Sequence, residues 1–263
     1  MPPRQALVTG VSAGLGRAIA QKLVAEGVEV WGTARDVARV PAGIHPVALD
    51  LADPASVAAC VAQVRREAPA LDLLVNNAGH GAFFPLEEFP SGDLESQWRV
   101  LLHGPAELSR AFYADFRARR RGVLVNVTSL AGDYPIPFMS AYSGAKAGLS
   151  AFTRALMLEA ENSGVAVIDL RPGDYATGFN NAMRGFDAVA RPDAARARAA
   201  CEAHVKAGPP PERAAADLWR AVLRGRSGVV TTGDFWQARL GPLLARIAPE
   251  RVVRAYLRRY YGL

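Results

Sequence analysis

Tyr142 and Lys146 stand four residues apart in the run Ala-Tyr-Ser-Gly-Ala-Lys, thirteen residues after Ser129. Residues four apart on a helix share a face, so this phenol and this ammonium can meet over one pocket. A nearby ammonium stabilises phenolate, which predicts a Tyr142 that titrates below the usual ~10 and exchanges protons nearer neutrality. The chain also opens with Thr-Gly-Val-Ser-Ala-Gly-Leu-Gly at residues 9–16, between a strand pattern and a helix pattern. Gly10, Gly14 and Gly16 lack side chains there, so a pyrophosphate can approach backbone N–H groups at the positive end of a helix. A proton donor combined with a dinucleotide loop points to hydride transfer.

The elements that must position these groups are legible as a rhythm. Short apolar runs at residues 6–9, 28–33, 45–49, 71–76, 123–129, 165–171 and 229–232 read as strands. Helical patterns fill the intervals at 15–26, 54–67, 93–119, 141–162 and 212–224, each too long for a hairpin. Right-handed crossovers of this kind place helices on both faces of a parallel sheet. The expectation is a single α/β domain over residues 1–263, doubly wound and Rossmann-type, with a seven-stranded, mainly parallel sheet. Gly208-Pro209-Pro210-Pro211 reads as a loop inside that domain, because a further strand pattern follows it. Residues 174–208 carry no clear strand and read either as a lid over a site or as a surface helix pair.

Composition narrows the classes. The 263 residues carry a formal charge of +6, but apart from 117–121 and the C-terminal end the basic residues are scattered. They read as solvated helix faces and not as a nucleic-acid footprint. Cys60 and Cys201 are far apart and outside any metal-ligand spacing, so no metal site and no disulfide are expected. No run approaches eighteen apolar residues, and the expectation is a cytoplasmic protein. Residues 236–263 mix Leu240, Leu243, Leu244, Ile247, Val252, Val253, Tyr256 and Leu257 with Arg239, Arg246, Arg251, Arg254, Arg258 and Arg259. This helical extension is expected to pack over the pocket or against another subunit, with contact to an anionic membrane surface as the alternative.

At the end of the second strand pattern, Ala34 stands where an acidic residue would bind a ribose diol, and Arg35 follows. A guanidinium there suits a 2′-phosphate, which favours NADP(H) over NAD(H); the other reading is a solvated arginine before Asp36.

Together these stretches resemble the short-chain dehydrogenase/reductase family, in its classical group. Residues 9–16 match its Thr-Gly-x-x-x-Gly-x-Gly loop, Asn76-Asn77-Ala78-Gly79 its Asn-Asn-Ala-Gly stretch, and Ser129, Tyr142 and Lys146 its catalytic spacing. Pro172-Gly173 with Thr177 match its Pro-Gly-x-x-x-Thr segment. The resemblance implies that Gly10, Ser12, Gly14, Leu15 and Gly16 hold the cofactor phosphates, and that Asp50 and Leu51 lie at the adenine. It further implies that Asn76, Ala78 and Gly79 line the cofactor. Pro172, Gly173, Tyr175 and Thr177 would meet the nicotinamide, and Lys146 the ribose hydroxyls. Ser129 would orient a carbonyl oxygen, and Tyr142 would pass it a proton. A homodimer or homotetramer paired through the fourth and fifth helices is likewise implied.

One departure stands out. Relatives carry an asparagine three residues before a helical glycine, and Gly104 locates that position at Leu101. Leucine has no side-chain hydrogen bond to offer a proton relay from Lys146. His103 lies about 200 degrees round the helix from it and is expected to face away. Pro105 lacks the N–H that would bond the Leu101 carbonyl, which leaves that carbonyl free; the resemblance implies that a main-chain carbonyl at this site holds the relay water, so Pro105 is expected to preserve that water without the asparagine. Leu101 also keeps open imine reduction, epimerisation or another redox-neutral step, and a noncatalytic NADP-binding regulatory role.

The expected pocket walls are His80, Phe83, Phe84, Leu130, Tyr134, Ile136, Phe138, Met139, Tyr175, Phe179 and Met183, whose bulk suits an apolar or aromatic ketone. Asp133, Asp174 and Arg184 are candidates to select a polar substituent.

Overall fold

The structure is a computed structural model and describes residues 2–187, 190–241, 243 and 247–263. Seven strands, β1 (Gln5–Val8), β2 (Glu29–Ala34), β3 (His45–Ala48), β4 (Leu73–Asn76), β5 (Gly122–Val127), β6 (Val165–Pro172) and β7 (Gly228–Thr232), form one sheet in the order β3-β2-β1-β4-β5-β6-β7. All six pairings are parallel. The chain winds outward from β1 to β3, then returns to lay β4 beside β1. The crevice beyond the ends of β1 and β4 is therefore the topological switch point, where ligands bind in open α/β sheets.

Period-two alternation feeds two cores. Ala6 and Val8 of β1, with Leu73 and Val75 of β4, pack on one face against Ile19 and Leu23 of helix α1 (Gly14–Ala25) and Leu218, Trp219 and Val222 of α7 (Pro211–Arg224). Leu7 and Leu74 point to the other face, onto Val61 and Val64 of α2 (Pro54–Glu67) and Leu108, Phe112 and Phe116 of α4 (Gly104–Ala118). Each fully buried Leu or Phe contributes about 1.5–3 kcal/mol of transfer free energy, which holds the strand ends in register beneath the crevice.

The long helical pattern at 93–119 is interrupted. It folds as α3 (Ser91–Trp98), a π-turn at Arg99–His103, and α4. The Gly104 N–H bonds the Arg99 carbonyl five residues back, just before Pro105 in the first turn of α4. A proline cannot continue the regular ladder, so the widened turn lies where the local chemistry requires it. Helix α5 (Ser140–Glu159) presents Tyr142 and Lys146 to the crevice. The 174–208 segment contains α6 (Pro192–Ala207), and α8 (Glu250–Tyr260) lies in the tail. Leu244 and Arg246 lie outside the described residues, as do 188–189 of the 174–208 segment. No helix among the described residues is long and apolar enough to cross a membrane.

Candidate active site

One cavity of about 910 Å³ runs across the switch point. At one end lie Gly10, Ser12, Gly14, Leu15 and Gly16. The N-cap of α1, Ala13, supplies no side-chain cap, so the first helical N–H groups remain available to an anion. The loop tolerates only glycine at two points. Gly10 has φ +74° and its ideal Cβ would stand 2.8 Å from the Ala78 Cα, while a Cβ on Gly16 would stand 2.2 Å from the Gly10 carbonyl oxygen. Such a backbone-lined cradle fits a pyrophosphate. Beyond it, Arg35, Asp50 and Leu51 line the cavity, together with Arg39, which the sequence motifs did not single out. Neither arginine is in an ion pair among the described residues.

The Asn-Asn-Ala-Gly stretch divides its work differently from expectation. Ala78 and Gly79 line the cavity, but Asn76 does not. Its amide is buried behind the wall, donating to the Pro105 carbonyl at 3.1 Å, Ser109 Oγ at 3.0 Å and Asn126 Oδ1 at 2.8 Å. Asn76 therefore ties β4 to β5 and α4, because a strand-end amide surrounded by helix cannot reach outward. Asn77 lines the cavity instead, its Nδ2 held by the Thr9 carbonyl at 2.9 Å, while Thr9 Oγ1 accepts the backbone N–H groups of Asn77 and Ala78.

Ser129, Tyr142 and Lys146 meet in the middle of the cavity. Ser129 follows β5, accepts the Ala131 N–H at 3.0 Å and lines the cavity with Tyr142. The expected lowering of the Tyr142 pKa is absent: burial pushes it up to about 12, against a smaller opposing effect of the Ser129 hydroxyl. Lys146 is not positioned to prevent this. Its Nζ lies 5.9 Å from the phenol ring centroid and donates to the Val127 carbonyl at 2.7 Å. Burial brings Lys146 down to about 8, partly offset by the charge of Asp169.

Toward the other end the lining turns apolar. Leu130, Tyr134, Ile136, Met139, Phe179 and Met183 all contribute, as do Pro172, Gly173, Tyr175, Thr177 and His80. Phe179 meets the Tyr142 ring edge-on at 5.7 Å. His80 is held below its ordinary pKa by burial and then by Arg35. Phe84 is a correction: it packs on Phe89 at 5.1 Å, away from the cavity, and a Cβ on Gly185 would meet its ring at 2.4 Å. Phe83 and Phe138 likewise pack behind the wall, their rings tilted at 43° with centroids 5.5 Å apart. Of the polar candidates, Asp133 is bound to Arg171 and Arg184 to Asp93. Leu101 is wholly buried, lines the cavity and sits against Gly79, whereas His103 is exposed in a separate groove between α2 and α4.

The tail packs over the pocket. Trp236, Gln237, Val252, Val253, Tyr256, Leu257, Tyr260 and Tyr261 complete the wall with Cys201 and His204 of α6. Packing over the pocket was one of the two placements expected of this amphipathic tail; which of its residues reach the cavity is decided by long-range folding.

The chain matches at residues 4–187 the family model described as short chain dehydrogenase. Over 181 residues it is 32% identical to the 3-ketodihydrosphingosine reductase of Bacteroides thetaiotaomicron, covering 69% of this chain and 67% of that protein. A solved short-chain dehydrogenase from Streptomyces avermitilis superposes with a TM-score of 0.79 at 29% identity, covering 93% of this chain and 94% of that one. A metagenomic short-chain oxidoreductase in complex with NADP gives a TM-score of 0.69 at 29% identity, covering 87% and 96%.

Proposed function

The chain belongs to the short-chain dehydrogenase family, and from that premise we propose that it is an NADPH-dependent reductase of a bulky apolar or aromatic ketone, oxidising the corresponding secondary alcohol in reverse. The observation that carries this reading is the placement of Ser129, Tyr142 and Lys146 between a glycine-lined end and an apolar end of one cavity. Arg35 and Arg39, both without a carboxylate partner among the described residues, suit a 2′-phosphate.

The nicotinamide cofactor supplies the hydride when bound. The chain supplies the proton and its control. Ser129 Oγ is placed to orient the substrate oxygen, and the Tyr142 phenol to protonate that oxygen as it gains charge. A phenol pushed up to about 12 holds its proton throughout the physiological range, the form that a proton donor to the substrate oxygen needs. Lys146 would hold ribose hydroxyls and pass protons toward the Leu101–Pro105 turn, where the main-chain carbonyl of Leu101 takes over from the missing asparagine. A water between Lys146 and that carbonyl is the expected bridge, and a high-resolution experimental structure without it would dismiss this relay.

The 174–208 segment acts as a lid in this reading. Its two ends meet where Ala176 N–H bonds the Pro209 carbonyl at 3.0 Å, and Arg184 pairs its backbone with Gly81 and Phe83 across the mouth. The protein acts as a homodimer or homotetramer through α4 and α5.

NADPH consumption against a panel of bulky prochiral ketones, with NADH in parallel and Tyr142→Phe beside the parent, tests the reading. Turnover by the parent, lost in the Phe variant that still binds NADPH, supports it. Binding of NADPH without turnover of any ketone refutes it and favours a redox-neutral or regulatory role, consistent with Leu101.

A further inference from the structure

At the far wall of the cavity, two residues beyond the end of β6, Asp174 is the polar candidate that has no arginine or lysine partner among the described residues. Its backbone N–H donates to Gln237 Oε1 at 3.0 Å, and its Oδ2 accepts Gln237 Nε2 at 2.6 Å and the Tyr260 hydroxyl at 3.4 Å. Gln237 Nε2 also donates to the Tyr260 hydroxyl at 2.7 Å, so the carboxyl is held rigidly from one side. Oδ1 has no hydrogen bond from the described residues, and Asp174 lines the cavity. No Lys or Arg among the described residues pairs with it.

Among the described residues His204 lies nearby, stacked on Tyr260 at 3.9 Å, with a buried Nδ1 that has no hydrogen-bond partner among them. Burial holds His204 below its ordinary pKa, against the smaller pull of the Asp174 charge, and burial likewise raises the Asp174 carboxyl above its usual range, against smaller opposing effects of Gln237, His204 and Tyr260. Asp174 lines the same cavity as Tyr142, Tyr260, Tyr261 and Cys201, and so shares a chamber with the proton donor. Among the described residues no Lys or Arg pairs with this carboxyl, and with one oxygen oriented by a fixed amide and the other open it is placed to receive a cation.

We propose that Asp174 is a specificity-determining residue that binds a protonated amine, so that the ketone reduced here is an amino ketone. The assignment rests on the ketone-reductase reading above. The ammonium would donate to Oδ1 while Gln237 and Tyr260 keep Oδ2 in place, and the apolar remainder of the substrate would lie along Met139, Phe179 and Met183.

The test is a binding measurement, independent of turnover. NADPH-loaded protein is titrated by calorimetry with 4-phenylbutylamine, 4-phenylbutan-1-ol and 4-phenylbutyrate, using the parent and Asp174→Asn. The amine is expected to bind the parent about tenfold or more tightly than the alcohol, as for a charge-assisted hydrogen bond, and that ratio collapses toward one in Asp174→Asn. If Asp174→Asn does not fold, Gln237→Lys serves instead, its own ammonium occupying the carboxyl and abolishing the ratio. Equal binding of amine and alcohol, preference for the carboxylate, survival of the amine preference in the variants, or no binding of any probe overturns the proposal. An amine preference in a protein that reduces no ketone leaves the amine site standing and removes the reductase reading.

Discussion

Replacing Lys146 by methionine should stabilise the fold while removing turnover. The folded protein holds Lys146 near 8 where an exposed lysine sits at 10.5. At about 1.4 kcal/mol per tenfold, that disfavours the charged form in the folded state by roughly 3 kcal/mol. The folded pKa is depressed, so between about 8 and 10.5 the unfolded chain binds more protons and stability rises with pH; below 8 the full penalty is present. Methionine fills similar volume without a charge but gives up the bond to the Val127 carbonyl, worth about 1 kcal/mol net and somewhat more if that carbonyl is left bare. The expected gain at pH 7 is roughly 1–2 kcal/mol, or a rise in Tm of roughly 3–6 °C for a chain of this size. At pH 9.5 the penalty in the parent falls to roughly 1 kcal/mol, so the advantage should vanish there. Urea unfolding of both proteins at the two pH values measures this. A Lys146→Met protein less stable than the parent at pH 7, or an advantage unchanged between pH 7 and 9.5, refutes the reasoning.

Two further substitutions test the cofactor end. Arg35→Ala should reduce the preference for NADPH over NADH in kcat/KM by about ten- to a hundredfold, the loss of one charge-assisted contact to a 2′-phosphate; an unchanged ratio would leave Arg39 as the recognising group. Gly16→Ala would force a Cβ to within 2.2 Å of the Gly10 carbonyl oxygen and 2.4 Å of Asn77 Nδ2. It should weaken NADPH binding more than tenfold and cost about 1–3 kcal/mol, and NADPH fluorescence titration with normal affinity would show that the loop yields.

The strand and helix rhythm was readable because each parallel crossover needs an apolar run followed by an amphipathic helix, and both are local patterns. The predicted α2 range coincides with the helix at Pro54–Glu67, and every predicted strand is present within two residues of its expected ends. The 93–119 helix was read as continuous because periodicity does not register a π-turn. Pro105 was the only local signal of it.

The residue types at the centre of the site follow from sequence alone: a phenol and an ammonium one helical turn apart, and a glycine loop opening a helix, are contiguous features. Their electrostatics do not. Tyr142 was expected to be lowered by Lys146, yet burial raises it, because desolvation depends on what the rest of the chain stacks above the pair. Asn76 and Phe84 show the same limit, since which face of a wall a side chain occupies is decided by packing partners distant in sequence. The reverse case is Asp174, whose nearest fixed partners, Gln237 and Tyr260, are 63 and 86 residues away. Local spacing determined which groups could do chemistry; the tertiary structure decided how much water each retains and which distant side chains share its cavity, because solvation and contact are properties of the folded volume.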